Sequence, residues 1–412
     1  ILSDYDVFDE SRYFIPGESN TPLRYKNQNI RVIFDEYESN MIEKTDTIIV
    51  HVGSTPFTTE SFAYRKESLS YIARKQKCSL NHVGANASLI FDGNSFVVNS
   101  KGISTYKLAT FKEDFMVIDT ERLLNAPALK EKGPDTIALI HDALILGIKD
   151  FFHKNGFSKA VLGLSGGIDS ALVAALSTEA LGKENVLGIL MPSRFSTDHS
   201  VTDAVDLAKN LGISHETLPI KEIYDNFIAT LHPVFKDAPF NVAEENLQAR
   251  IRGSLVMAIS NKFGYILLNT SNKSEAAVGY GTLYGDLCGS LSVLGDVYKT
   301  DVYKLSRYMN RNGELIPENT ITKAPSAELR PGQKDQDSLP DYDTLDAILK
   351  LYLEENSSKQ EIIAKGFAPE IVEKTITLVN RNDYKRAQCP PILKVSKKAF
   401  GSGRRMPLVA KL

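Results

Sequence analysis

Ser165-Gly166-Gly167-Ile168-Asp169-Ser170 follows the apolar run Ala160-Val161-Leu162-Gly163-Leu164 and opens the apolar-periodic stretch Ala171 to Leu181. That order reads as strand, phosphate loop, helix. Adjacent glycines let the backbone turn tightly and approach a ligand, and the free N–H groups and dipole of the next helix favour an anion there. A Gly-Gly turn alone is an ordinary connector. The Gly-x-x-x-x-Gly-Lys-Ser/Thr loop of many nucleotide-binding proteins is not present, because Asp169 stands where that motif carries its lysine. A carboxylate there suits magnesium rather than direct contact with phosphate.

Outward from this loop the chain alternates. A helical pattern runs from Asp135 to about Asn155, then strand 160–164, helix 170–181, strand 186–190, helix 199–211 and strand 214–218. Such alternation predicts an α/β domain with a parallel sheet covered by helices on both faces, and places the Ser165 loop at a strand's carboxyl end, where these sheets bind ligands. The first 125 residues have another texture, with short strands at Ile30 to Phe34, Thr47 to Val52, Leu89 to Phe91 and Ser95 to Val98 and a helix at Ser61 to Lys77. Between the two textures, Leu124 to Asp135 holds Asn125, Pro127, Gly133 and Pro134 and reads as a linker. Domains are therefore expected at 1–125 and 126–412.

Composition narrows the chemistry. With 412 residues, 42% hydrophobic, the chain can bury more than one core. A formal charge of -3 gives none of the basic excess expected of a nucleic-acid binder. Cys78, Cys288 and Cys389 are too few and scattered for a disulfide framework or zinc site, which points to a reducing compartment, the cytoplasm. The richest apolar run, Ile137 to Phe152, is broken by His141, Asp142 and Lys149, so no membrane span is expected. The first residue is Ile1 rather than methionine, and an N-terminal targeting segment cannot be read from it.

Further chemistry lies beyond the loop. Ala243-Glu244-Glu245-Asn246-Leu247-Gln248-Ala249-Arg250-Ile251-Arg252 opens a helical pattern to Lys262, with Leu247, Ile251, Leu255 and Ile259 on its core face and Asn246, Arg250 and Arg252 as candidates for the opposite side. Arginine forks suit phosphate or carboxylate, although a solvated face would show the same pattern. The strand Tyr265 to Asn269 runs into Thr270-Ser271-Asn272-Lys273-Ser274-Glu275, so Thr270 can reach a nucleotide and Glu275 can offer magnesium an oxygen, or else cap a helix. Lys299, in Asp296-Val297-Tyr298-Lys299-Thr300, begins another helix and can neutralise the triphosphate charge that a lysine-free loop cannot. The polar stretches Lys323 to Leu329 and Gln333 to Tyr342 are long enough for a lid. Asn382 to Arg386 and Gly403 to Pro407 make the C-terminal end basic.

In order, SGGIDS, AEENLQARIRG, LLNTSNKSEAAVGYGTLYGD, DVYKTDVYKL, KAPSAELRPGQKDQDSLPDY and NDYKRAQCPP resemble the synthetase domain of the glutamine-dependent NAD synthetase family, over roughly Asp135 to Leu412. The first motif alone would also fit another ATP pyrophosphatase-type amidotransferase or thiolase. The resemblance implies a Rossmann-like ATP pyrophosphatase fold of the adenine nucleotide alpha hydrolase-like kind. It implies amidation of deamido-NAD, with ATP split to AMP and pyrophosphate through an acyl-adenylate and with Mg2+ as cofactor. Asp169, Glu275 and Lys299 would be catalytic, and Asp169 and Glu275 the metal ligands. ATP would be bound by Ser165, Gly166, Gly167, Asp169, Ser170, Thr270, Lys299 and Ser326. Deamido-NAD would be bound by Asn246, Arg250, Glu275 and Lys385. A homo-oligomer is also implied. Leu283 departs from the small, ammonia-only members, which carry lysine before Tyr-Gly-Asp, so that contact has no counterpart here.

Asp4 to Phe14, Pro16-Gly17, Ser54-Thr55-Pro56-Phe57 and His82 to Asn86, leading to Phe91-Asp92-Gly93, resemble the later part of a nitrilase-type (carbon–nitrogen hydrolase) glutaminase domain, itself an α/β fold. That family uses a glutamate, a lysine and a cysteine, the first two of which would precede Ile1. Phe34-Asp35-Glu36 resembles its Cys-Glu-Asp, with phenylalanine in the nucleophile's place. Without a thiolate the chain as written is expected not to hydrolyse glutamine. Nitrogen would then come from free ammonia, or from glutamine in a longer parent with residues missing near Phe34 to Lys44.

Overall fold

A computed structural model of the chain describes residues 12–15, 21–34, 42–71, 75–130, 133, 135–401, 403, 404 and 406–408. Most of the Asp4 to Gly17 stretch, Asp35-Glu36 and Arg405 lie outside them. Among the described residues two compact units separate, one within Ile1–Pro56, Ser61–Val83 and Phe91–Lys132, the other within Phe57–Glu60, Gly84–Ile90 and Gly133–Leu412.

The first unit carries β1 (Leu23–Tyr25), β2 (Gln28–Ile33), β3 (Ile48–Gly53), α1 (Ser61–Tyr71), β4 (Gln76–Asn81), β7 (Phe96–Val98) and β8 (Ser104–Lys107), while β5 (Val83–Asn86) and β6 (Leu89–Asp92) pair separately. Its mixed sheet runs β1-β2-β3-β4-β7-β8, with β2, β3 and β4 parallel. One expectation is corrected here: the helix from Ser61 does not reach Lys77, because Gln76 and Lys77 already belong to β4. Lysine and glutamine favour a helix locally, but β4 fills the sheet between β3 and β7, and backbone pairing overrides propensity. Lys77 is buried and its Nζ donates to the Leu69 carbonyl at 2.7 Å, closing the end of α1.

From Gly133 onward the second unit carries first α2 (Thr136–Lys154), whose N-cap Asp135 accepts from Ile137 and Ala138 N–H. Next come β9 (Ala160–Gly163), α3 (Ile168–Leu181), β10 (Val186–Leu190), α4 (Asp198–Leu211), β11 (Ser214–Thr217), α5 (Lys221–Phe235), α6 (Val242–Phe263) and β12 (Ile266–Asn269). After them lie α7 (Lys273–Val278), β13 (Leu291–Ser292), α8 (Lys299–Met309), α9 (Glu318–Thr322), α10 (Tyr342–Leu349), α11 (Lys359–Ala364), α12 (Pro369–Arg381) and α13 (Asp383–Arg386). The sheet order is β11-β10-β9-β12-β13, parallel throughout. Because side chains alternate along a strand, Val161 joins Ile189, Leu267 and Val256 of α6 on one face, leaving the buried Leu162 to the other. Helices therefore cover both faces, as the alternation predicts. The strand order reverses at β9, since β10 lies on one side and β12 on the other. This switch point opens a crevice at the carboxyl ends of the strands.

Candidate functional site

The loop after β9 enters that crevice. Gly166 has φ +78, and a Cβ there would lie 2.2 Å from the Ser200 carbonyl oxygen at the start of α4, so only glycine fits. Gly167 is the N-cap of α3, with φ -83. The two serines tie the turn together: Gly167 N–H donates to Ser165 Oγ at 3.2 Å, and Ser170 Oγ donates to the Gly167 carbonyl at 3.0 Å. Asp169, in the first turn of α3, leans toward the loop after β12.

Three charged groups meet there. Lys299 Nζ lies 2.5 Å from Asp169 Oδ2 and 3.4 Å from Glu275 Oε1. Burial would strip the ammonium of its proton, but the two carboxylates outweigh that and hold its pKa above the ordinary lysine value. Burial likewise raises the Glu275 carboxyl, with Lys299 opposing and Asp169 reinforcing the rise. Glu275 also caps: Asn272 and Glu275 form a capping box at the start of α7, so the helix-capping reading of this residue holds, and its carboxylate lines the cavity as well.

The residues that hold this triad were not singled out as site residues by the motifs. Asn272, fully buried, donates from Nδ2 to Asp169 Oδ1 at 2.9 Å while its Oδ1 accepts from Glu275 N–H at 3.0 Å. Ser274 Oγ accepts from Lys299 N–H at 2.9 Å, and Asp346 of α10 holds both that hydroxyl and the Thr300 N–H. The amide in Thr-Ser-Asn-Lys-Ser-Glu is a readable cap signal; the reach of Asp346 from a distant helix is not.

A cavity of about 320 Å³ is lined by Ser165, Gly167, Asp169, Ser170, Thr270, Glu275, Lys299 and Ser326 among others. Its size falls within the roughly 300–1,000 Å³ usual for small-molecule sites. Gly166 belongs to the turn but not to this lining. Ser326 Oγ donates to the Gln333 carbonyl at 2.6 Å, folding the polar stretch back on itself. Glu328, with φ +49, accepts from Thr197 N–H at 3.2 Å and from Ser200 Oγ at 2.7 Å, which fastens that stretch to the first turn of α4.

Asn246, Arg250 and Lys385 lie elsewhere, gathered on the segment Gly279 to Leu283. Asn246 Oδ1 accepts from Thr282 Oγ1 at 2.7 Å, Arg250 Nε donates to the Leu283 carbonyl at 3.2 Å, and Lys385 Nζ donates to the Gly279 and Gly281 carbonyls, both at 2.8 Å. Of the four residues assigned to the dinucleotide, Glu275 alone lines the cavity. Arg252 parts from Asn246 and Arg250: it lines the cavity instead, its Nε donating to the Met191 carbonyl at 3.0 Å.

In the other unit, Phe34 is exposed immediately after β2. Cys78 lies on β4, opposite Val50 and Val97, and burial raises its thiol pKa. All three cysteines are free thiols, and no helix among the described residues is long and apolar enough to cross a membrane.

Known proteins converge on the same chemistry. The family model "NAD synthase" matches residues 140–389. A glutamine-dependent NAD(+) synthetase of Synechocystis is 47% identical over 99% of this chain and 77% of its own length. Its alignment runs over 433 positions against 412 residues here, so that relative carries internal residues this chain lacks. The structure of a glutamine-dependent NAD+ synthetase from Acinetobacter baumannii in complex with ADP matches 99% of this chain and 78% of its own at 38% identity, with a TM-score of 0.72. A glutamine-dependent NAD(+) synthetase from Cytophaga hutchinsonii shares the fold over 100% of this chain and 79% of its own at 21% identity, with a TM-score of 0.79.

Proposed function

The chain belongs to the NAD synthase family, and from that premise we propose that the crevice after β9 performs the ATP-dependent amidation of deamido-NAD. The protein is a C–N bond-forming ligase, and its fold joins a synthetase unit to a nitrilase-like one. The observation that carries the assignment of the site is the Asp169–Lys299–Glu275 cluster at the mouth of the Ser165 turn.

ATP enters with its β- and γ-phosphates against the N–H groups of the Ser165 turn and α3, as helix N-termini favour. The ADP found in the Acinetobacter baumannii relative supports an adenine nucleotide here. Asp169 and Glu275 are the residues we assign to Mg2+. Two carboxylates facing one cavity supply the oxygen donors this ion takes and would hold it beside Lys299, which already lies against both. No group of three or more potential metal ligands occurs among the described residues, so a cage made by protein alone is not available. When bound, magnesium offsets negative charge on the departing pyrophosphate.

Thr270 and Ser326 we assign to ATP beside Ser165, Gly167 and Ser170. Asn246, Arg250 and Lys385, through the Gly279–Leu283 segment, orient the dinucleotide. Its nicotinate carboxylate attacks the α-phosphorus, the α–β bridging bond breaks, and Lys299 receives the charge that develops on pyrophosphate. Ammonia then displaces AMP from the acyl-adenylate. No protein nucleophile is required.

We assign the first unit to the later part of a glutaminase domain, on the nitrilase-like motifs it carries. Unpaired cysteines favour a reducing compartment, the cytoplasm. The apolar surface at Phe227, Val234, Phe240 and Val242 favours a homo-oligomer. Small molecules are the substrates; the balanced charge gives no reason for a nucleic-acid or membrane partner.

Incubation with deamido-NAD, Mg-ATP and ammonium, followed by chromatography of NAD and AMP, should show the two products in equal amounts. Absence of both would sink the assignment.

A further inference from the structure

The cavity has three cations among its described lining residues, Arg252, Lys299 and Lys323. Two already face carboxylates. Lys299 faces Asp169 and Glu275, and Lys323 Nζ lies 3.0 Å from Asp203 Oδ2. Arg252 forms no ion pair among the described residues: Glu328 and Asp286 act on it only at longer range, and burial lowers its pKa. Its guanidinium has one hydrogen bond, from Nε to the Met191 carbonyl at 3.0 Å, and neither Nη is a buried orphan. Both Nη atoms are therefore without a protein partner among the described residues, on a side chain that lines the cavity.

Position adds to charge. Met191 directly follows β10, on one side of β9, whereas Glu275 follows β12 on the other. Arg252 is thus anchored at the end of β10, whereas Lys299 is held by Asp169 and Glu275, after β9 and β12. Breaking the α–β bond yields two anions. Pyrophosphate has the Ser165 turn and Lys299; the acyl-adenylate keeps one phosphodiester charge after pyrophosphate leaves. That charge needs a cation fixed to the protein and free of carboxylates.

We propose that Arg252 is the substrate-binding residue that holds the adenylyl phosphate, first as the α-phosphate of ATP and then as the phosphodiester of the acyl-adenylate. The proposal rests on the ligase reading above. Anchoring at Met191 fixes the planar fork, and charge-assisted hydrogen bonds to a phosphate are among the stronger polar contacts.

AMP and adenosine, compared by titration calorimetry without metal, isolate the phosphate term. The wild-type chain should prefer AMP by about ten- to a hundredfold, the range for a hydrogen bond to a charged group. In R252Q that preference should collapse to within about threefold while adenosine affinity is kept, and R252K should restore a substantial part of it. ATP-dependent NAD formation should fall in R252Q by a factor of similar size. An AMP preference retained in R252Q, or absent from the wild type, overturns the proposal. If R252Q fails to melt cooperatively, R252K decides alone: an AMP preference above about threefold upholds the proposal and a smaller one overturns it. A wild-type chain that makes no NAD overturns the ligase reading as well, whereas normal turnover in R252Q overturns this inference only.

Discussion

Lys299 shows what one residue contributes and how little of it a motif reveals. Its charge and helix-start position are readable in Asp-Val-Tyr-Lys-Thr, and so is the need for a cation near a loop that lacks one. Its partners are not, because Asp169 on one side and Ser274 and Glu275 on the other come from separate segments and meet it only when β9 and β12 become neighbours. Removing the ammonium would leave Asp169 and Glu275 facing each other, and the Glu275 pKa, already raised by burial, would rise further. Lys299→Met should therefore reduce kcat by about 10²–10³-fold, comparable to losing one preorganised donor, with a cooperative melt retained; steady-state NAD formation checks this, and a loss below about threefold would count against the role. His141, a residue no motif marks, gives a separate test. Burial pulls its pKa down, but Nδ1 against Asp142 at 2.8 Å and Nε2 against Glu179 at 3.1 Å prevail and bring it to about 9. The folded value lies above the ordinary one near 6.5, so the stabilisation is complete below about pH 6.5 and lost as pH rises through about 9. The melting temperature should fall across that interval by more in the wild type than in His141→Asn, and parallel curves would remove the ion pair from the stability account.

Elements were legible wherever period and caps agreed. Helix α2, capped at Asp135, and the alternation from Ala160 to Thr217 follow the patterns read from the sequence, because each amphipathic or apolar run has one way to be buried in a covered parallel sheet. At α1 and β4 the signal failed, since Lys, Gln and Arg carry no strand preference and β4 exists for the sake of its neighbours. The phosphate turn needed coordinates for a different reason: the sequence treats Gly166 and Gly167 alike. Gly166 is held at φ +78 with a Cβ position 2.2 Å from the Ser200 carbonyl oxygen, whereas Gly167 is at φ -83 and a Cβ would meet only Ser165 Oγ at 3.2 Å. A left-handed residue with a Cβ costs about 1–2 kcal/mol before the clash is added. Gly166→Ala should therefore lower the melting temperature by about 5 °C or more and Gly167→Ala by about 2 °C or less, at roughly 2–4 °C per kcal/mol. Equal shifts would mean that the turn does not bear on α4.

At the scale of the whole molecule, the division expected after Asn125 rests on a change of texture, since strands of a mixed sheet and units of a parallel one bury apolar residues with different periods. The synthetase chemistry was legible because its motifs lie intact in one unit. The glutaminase question is different, for it turns on a single atom. Phe34, immediately after β2, offers no nucleophile, and the 433-position alignment with the Synechocystis relative requires internal residues that this chain lacks. Cys78 is no substitute: it is held within β4 between Val50 and Val97, and burial raises its thiol pKa, whereas a nucleophilic cysteine needs its thiolate favoured. Ammonium should therefore support NAD formation by this chain while glutamine, supplied free of ammonia, leaves it at background and releases no glutamate. Coupled assay of glutamate decides the matter. Glutamate produced in step with NAD would place a thiolate in the first unit despite Phe34, and a block of that production by Cys78→Ser would identify it.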